Sequence, residues 1–503
     1  MNSIDSSSKA YAELSSKEGL KFLDIRTKTI EFTLFPLLKQ ITHLVNQKSE
    51  SSPVHNGRHS QSSDVDDLGA SVQAAITEFI GAGEKVASEH PSIQQQMLEA
   101  CKQAYEASEQ IVGKTSSHLS KDLVPSMRKL LATMYKVLVL ADSIIISEIM
   151  QARDKVNSKL DFLTKVTNFT DFLNNFTSFG AEMAEFGKVT GERQLDMKKE
   201  LDAAKMACLR NFLEKSTAIY LTGCKICLRH PTSTLSRDIR STIVSLMKKG
   251  LEEIIDIVCY AACANTDDHE KILCKALNAH SDALEMCIIL SGDSTSINKA
   301  KESFSLVDEF VHEFTDSAYT PHEHRELIIL MCQKCEEEVD QLARLPMNSD
   351  GALESAISSC QTSTHNLRRQ LIQHTITSAA ELFGSSVDTG LLAALQAAAS
   401  DGDSGKVENI SSQIRDHADQ IQEMSRQMQH VSPTDSFYIR VKYTASYLLS
   451  LTELLLQSAE VFCLHSLSKA AAEGYSTMAD SWVVLIGELA AASEELHQSL
   501  YQS

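Results

Sequence analysis

The sequence predicts an all-α protein made of serial antiparallel four-helix bundles. Glycine and proline are scarce, at 19 and 8 residues in 503, about 5% together against an average nearer 12%. Aromatic residues make only 6%. Chains poor in both breakers are usually helical, and an alternating β/α architecture would need more glycine at its turns. Apolar residues also recur three and four apart almost throughout, and no segment alternates with the period of a strand. The length of 503 residues suggests three or four domains of roughly 150 residues each.

Residues 1–20 carry no apolar stripe and are expected to be disordered. In "KTIEFTLFPLLKQITHLV" the stripe Ile30, Leu34, Leu37, Ile41 and Leu44 predicts an amphipathic helix. Pro36 should kink it or sit where the lost hydrogen bond is tolerated. Residues 48–67, polar and rich in serine, predict a flexible loop. Helices are expected next over "SVQAAITEFIGAGEKVASEH" (71–90) and about 91–112. From about 122 to 163 the helical pattern is interrupted only by Pro125 in its first turn. About 40 residues of helix are roughly 60 Å long, more than one bundle needs, so this helix is expected to serve two bundles in series.

Further helices are expected over 170–190, 193–229, 237–264, 267–290 and 297–317. Breaks fall at "LPMNSDG" (345–351), "GSSVDTG" (384–390), "SDGDSG" (400–405) and "VSPTDS" (431–436). Between the last two, Val407, Ile410, Ile414, Ile421, Met424 and Met428 form a stripe. The final helices are placed over 437–472 and 477–501. The expected domains are a pair of N-terminal bundles sharing the long helix (20–262), a first middle bundle (265–375) and a second (376–503).

The net charge of −20 and the absence of a long basic block argue against nucleic acid and acidic lipid as partners. The first residues lack the apolar core of a secretory signal. The most apolar run, "VLVLADSIIISEIM", is too short to span a bilayer and carries Asp142 and Glu148. The twelve cysteines lie among apolar residues in helical patterns and read as reduced core thiols of a cytosolic protein.

"TPHEHRELIILMCQKCEEEVDQL" (320–342) raises a zinc site, with His322, His324 and the C-x-x-C pair Cys332 and Cys335. Thr320-Pro321-His322-Glu323 has the form of a capping box with proline at the first helical position, so the residues C-terminal to it should be helical. His324 and Cys332 are then roughly 12 Å apart along the axis, whereas zinc holds sulfur at about 2.3 Å and nitrogen near 2.0 Å. One ion cannot collect these groups from one straight helix. Cys224 and Cys227 in "GCKICLRHP" have the same helical context, and neither a metal nor a cofactor is expected. As a helix, the segment puts Ile328, Met331, Cys335, Val339 and Leu342 on one face, with Lys334, Glu337 and Gln341 opposite. That face suits a bundle core. It also suits docking into a partner's groove, because a core helix released by local opening becomes a ligand.

"SEQIVGKT" ends like a phosphate loop, but Ser108 stands where the first glycine belongs and no strand precedes it. The glycine pair of "GAGEK" (81–85) suggests close helix packing. Glu252-Glu253 and Glu336 to Glu338 read as solvated helix surface, and His417 as a bundle or surface histidine. No catalytic arrangement is legible, since triads are defined by geometry.

Several stretches are similar to the vinculin and alpha-catenin family. "RTKTIEFTLFPLLKQITHLVNQ" resembles its opening helix through Thr29, Ile30, Glu31, Pro36, Gln40, Ile41, Leu44 and Val45. "SVQAAITEFIGAGEKVA" resembles the next through Val72, Gln73, Ala75 and Gly83, and "KVLVLADSIII" the long shared helix through Leu138, Leu140, Ala141 and Asp142. "GERQLDMK", "CLRHP" (227–231), "THNLRRQL" (364–371) and "IRDHADQI" (414–421) extend the likeness to nearly the whole chain, and "FTDSAYTPHEHRE" (314–326) narrows it to one branch.

The resemblance implies a non-enzymatic adaptor at the cortical cytoskeleton and cell junctions. In that branch it implies a scaffold for a Rho guanine-nucleotide exchange factor. It further implies beta-catenin-like or vinculin-like junction proteins as partners, and actin reached directly or through them. By alignment order, 320–342 matches the family helix that docks into vinculin when its bundle opens under load. "EELHQSLYQS" resembles the end of the second middle bundle, so the family's actin-binding tail is expected to be absent from this sequence. The rival readings are a direct actin-filament linker and a metal-dependent enzyme using the histidine and cysteine clusters.

Overall fold

The computed structural model describes residues 27–36, 39, 60–115, 123–259, 272–290, 293–345, 350–384 and 387–500. They form fifteen helices: α1 (28–36), α2 (Ser60–Glu89), α3 (Gln94–Thr115), α4 (Leu123–Leu163), α5 (Phe169–Asp196), α6 (Glu200–Arg229), α7 (Thr234–Val258), α8 (Leu273–Ile289), α9 (Ser294–Thr315), α10 (His322–Ala343), α11 (Asp350–Gly384), α12 (Val387–Asp401), α13 (Ser404–His430), α14 (Asp435–Leu464) and α15 (Lys469–Ser499). No strand occurs among the described residues, and the only bridge joins Thr27 to Met197. The expected disordered segment 1–20 lies outside them, as do Leu37, Ile41 and Leu44 of the first stripe.

Residues 60–67, expected as loop, are helical and extend α2. Adding a residue to a formed helix is far easier than nucleating one, so a polar flank can be carried along. Residues 465–468, expected as helix, form a break instead. Ser468 caps α15 by accepting from the Ala471 N–H, and no glycine or proline marks the place.

The chain divides into two compact units, Met1–Asn157 with Glu182–Lys199, and Ser158–Ala181 with Glu200–Ser503. In the first, Ile76, Ile80, Met97, Cys101, Met127, Leu130 and Met134 form a common core for α2, α3 and α4. Gly83 makes this crossing close: a Cβ there would lie 2.7 Å from Cys101 Sγ and 3.3 Å from Val137 Cγ1. Gly81 faces open space.

The start of α1 is tied to the end of α5. Asp196 accepts from the Thr29 backbone N–H at 2.8 Å and from its hydroxyl at 2.7 Å. This satisfies amide hydrogens that a helix N-terminus leaves unpaired. Lys198 pairs with Glu31 at 2.7 Å. Beneath them the Arg193 guanidinium, 1% exposed, grips the Asp142 carboxylate of α4 with both terminal nitrogens, the Nη2–Oδ2 bond measuring 3.0 Å.

In the second unit, α8 to α11 form one antiparallel four-helix bundle and α12 to α15 another. The second bundle is organised around Trp482, fully buried, whose indole N–H donates to Thr452 Oγ1 at 2.9 Å. The joint between α12 and α13 is built into "DGDSG". Gly402 adopts φ 73°, and the Gly402 and Asp403 amides return to the Ala399 and Ala398 carbonyls, a left-handed helix stop. Asp403 then caps α13 by accepting from the Lys406 N–H.

The pair α6 and α7 packs on α14 and α15. Tyr447 meets Phe212 edge-on at 4.6 Å, Lys215 pairs with Glu488, and Gly474 leaves the room that Ile226 fills. By length and composition α4 and α14 could each cross a membrane. α14 instead buries Phe437, Leu448, Leu451, Leu455 and Phe462 inside the protein, and α4 sets its Asp142 against Arg193.

Breaking a buried ion pair by removing one partner strands the other charge. Arg193→Ala is therefore expected to lower the stability of the first unit by about 3 kcal/mol. Urea unfolding of the full chain, followed in the transition that melts α2 to α4, checks this.

Candidate partner-binding helix

α10 lies between α9 and α11 with its apolar stripe turned inward. Ile328, Cys335, Val339 and Leu342 are all buried, at 0%, 1%, 2% and 0% exposure. Met331 sits half-buried at the edge, and Cys332 holds the central place. The stripe thus runs 328, 332, 335, 339, 342, a heptad spacing of four and three. That signal is present in the sequence, and treating Cys332 as an apolar residue would have found it. The expected polar face is exposed at Lys334, Glu337 and Gln341. The outer surface also carries apolar side chains, Leu327 at 43% and Leu330 at 62% exposure.

The start of α10 differs from a capping box. The helix begins at His322 with Pro321 as its cap residue, and no side chain caps it. Thr320 is buried and its hydroxyl accepts from Gln427 Nε2 of α13 at 2.9 Å, and it makes no capping bond to the helix it precedes. Two further bonds fix this turn. Arg325 donates to the Ser317 carbonyl at 2.7 Å, and Arg426 of α13 donates to the Glu313 carbonyl at 3.1 Å. His430 of α13 lies edge-on to Phe314 of α9. The end of α13 therefore clasps the α9–α10 turn. These α13 contacts span more than a hundred residues of sequence and have no local signature.

The candidate ligand atoms scatter as helix geometry requires. His322 faces solvent beside Glu326 at 3.1 Å, while His324 lies against the His374 ring at 4.6 Å. Cys332 donates to Asp308 Oδ1 of α9 at 3.5 Å. Among the described residues no three His, Cys, Asp or Glu side chains are grouped to hold a metal ion. Burial, reinforced by Asp308, pushes the Cys332 thiol well up, and burial pushes Cys335 up to about 12. In α6, Cys224 and Cys227 are likewise buried, and burial raises Cys224 to about 12. Thiols raised in this way carry almost no thiolate and are poor nucleophiles and ligands as they stand.

Two histidines are buried inside this bundle and a third, on α13, lies beside it. His280 is fully buried, with Nδ1 3.2 Å from the Ala300 carbonyl and 3.0 Å from Ser303 Oγ. His374 is 1% exposed. The Nε2 atoms of both lack a hydrogen-bond partner among the described residues. Desolvation lowers each ring to about 4, with His324 adding to the effect at His374. His430 is also lowered to about 4, by burial and then by the neighbouring Arg426.

Residues 24–498 match the vinculin family. Alpha-catulin of Mus musculus is 30% identical over 94% of this chain and 67% of its own length, and the Homo sapiens protein is 29% identical over the same shares. "Catenin alpha" of Drosophila melanogaster is 26% identical over 97% of this chain and 54% of its own length. Among solved structures, a vinculin homologue from a sponge covers 94% of this chain and 60% of itself, with a TM-score of 0.68 at 14% identity. The chain thus spans about two thirds of the alpha-catulins and about half of the fly catenin.

The three lowered histidines give a signed pH dependence. Above an unfolded value of about 6.5 neither state carries the proton and nothing changes. Below it the unfolded chain binds protons that the folded chain refuses, down to about 4. The histidine contribution should be level from pH 6.5 up to about 8, below the range where thiols ionise, and should fall between 6.5 and 4, each ring contributing up to about 1.4 kcal/mol per pH unit. Urea titrations at stepped pH measure the slope, and His374→Leu should make it shallower.

Proposed function

The chain belongs to the vinculin family, and from that premise we propose that it is a non-enzymatic adaptor of the adhesion cytoskeleton in which α10 is a latent ligand for a vinculin-type head bundle. In this reading it works at the cytoplasmic face of cell junctions and scaffolds a Rho guanine-nucleotide exchange factor. Junction proteins are its partners, through which it reaches actin.

One observation carries the α10 assignment: its heptad stripe is wholly buried in its own bundle, while its start is held by α13 and not by an internal cap. Loosening the contacts at that end exposes the start of α10 first, and full release then requires its buried stripe to leave the core. Leu327 and Leu330 offer a partner an apolar foothold before release. Once free, α10 presents Ile328, Cys335, Val339 and Leu342 at the spacing by which helices dock in grooves. Local openings of this kind are ordinary excursions of a native protein, and a ligand that binds only the open form draws them out.

A peptide of residues 321–345 should bind a purified vinculin head in the micromolar range or tighter, and no binding at high micromolar concentration would dispose of the assignment. In the full chain Leu342→Asp places a charge at a fully buried site and should cost about 4 kcal/mol. The same change in the peptide should abolish binding. Unchanged stability and unchanged binding would show that the wrong face has been chosen.

A further inference from the structure

The geometry points to Cys332 and Cys335 as an oxidation site gated by α10: a dithiol that reacts with low-molecular-weight disulfides only when α10 is out of its bundle, and that in its bridged form cannot return. The inference rests on the proposed release of α10.

Both thiols are confined while the bundle is closed. Cys332 is directed to Asp308 on α9, with the sulfur 3.5 Å from the carboxylate. Cys335 faces the core that also holds the buried Cys360 of α11, whose thiol is pushed up to about 12 by burial, then by Glu338 and Cys335. The exposures of Cys332 and Cys335 are 2% and 1%, so neither an oxidant nor an adduct has room. A close-packed interior does not let both side chains swing together.

Release changes each of these terms. Cα atoms three residues apart on a helix are separated by about 5 Å, inside the window of roughly 4.4–6.8 Å that a disulfide spans. The Cβ atoms start about 5–6 Å apart and must draw in, which a free helix permits. Away from burial and Asp308, each thiol returns toward the ordinary value of about 8.5 and regains a reactive thiolate fraction.

The chemistry is ordinary thiol–disulfide exchange. One thiolate attacks glutathione disulfide, forming a mixed disulfide and expelling one glutathione thiolate. The second cysteine attacks the protein sulfur of that mixed disulfide and expels the second glutathione. Two electrons pass from the cysteine pair to glutathione disulfide, and the two thiol protons end on the two glutathiones. The bridged sulfurs then point at each other. Asp308 loses its donor, and the space beside Cys360 is left unfilled. The oxidised helix no longer fits the slot it left.

The full chain is incubated with glutathione disulfide at neutral pH, in buffer and in urea just below its unfolding transition, and the bridge is located by peptide mass spectrometry. The Cys332–Cys335 disulfide should form about tenfold faster or more in urea. After urea and oxidant are removed, trypsin should cut α10 about tenfold faster in the oxidised chain than in the reduced one, and dithiothreitol should reverse this. A chain carrying both Cys332→Ser and Cys335→Ser should show no such change after oxidation. Equal bridging with and without urea, equal cleavage of oxidised and reduced chains, or accelerated cleavage in the double variant would each overturn the inference. None of these readouts uses the vinculin head, so failure of the peptide to bind would count against the partner reading and leave the oxidation site standing.

Discussion

Burial of one side-chain stripe, that of α10 between α9 and α11, is what the arrangement of the α8–α11 bundle depends on. Fully burying each aliphatic side chain in such a stripe is worth roughly 1.5–3 kcal/mol, and the conformational entropy of ordering the helix opposes most of it. The margin left is small enough for the surroundings to decide. Here they are mixed. α13 secures the α9–α10 turn through Gln427, Arg426 and His430, and two deeply buried imidazoles with unmatched Nε2 atoms work against closure. Leaving a buried polar atom unsatisfied costs about 1–3 kcal/mol, comparable to what one side chain of the stripe contributes.

The contrast with the neighbouring bundle is chemical. Around Trp482 the core of α14 and α15 is aliphatic and aromatic, with the indole held by Thr452 and the Tyr475 hydroxyl by the Leu392 carbonyl. The α8–α11 core instead mixes its aliphatic residues with Cys287, Cys332, Cys335, Cys360, His280 and His374. Thiols are small and pack without strong directional bonds. In the proposed reading this is the core that opens first.

Much of the architecture was legible because helix periodicity is a local property. The break-free pattern from 122 to 163 became α4 almost residue for residue, and the stripe of α13 is buried at Val407, Ile414, Ile421, Met424 and Met428. The α12–α13 joint could be read from glycine and aspartate, whose backbone and capping preferences are intrinsic. What escaped was set by distant parts of the chain or by a single residue. The 465–468 break depends on a serine cap with no breaker beside it. Thr320 looked like a helix cap until α13 was in place to take its hydroxyl. Arg193 and Asp142 meet across 51 positions, and nothing near either announces the other. Of the candidate stripe, Ile328, Cys335, Val339 and Leu342 were legible as apolar heptad positions. Cys332 was hidden by being read first as a metal ligand.

Native-state hydrogen exchange of the full chain, resolved by mass spectrometry into α10, α14 and α15, tests most directly whether the α8–α11 bundle opens by itself. The amides of α10 should exchange through an opening of clearly lower free energy than those of α14 and α15, and with a urea dependence smaller than that of complete unfolding but not zero, as a sub-global opening requires. Exchange of all three helices at one common free energy, with the urea dependence of complete unfolding of the second unit, would contradict it and leave α10 an ordinary core helix.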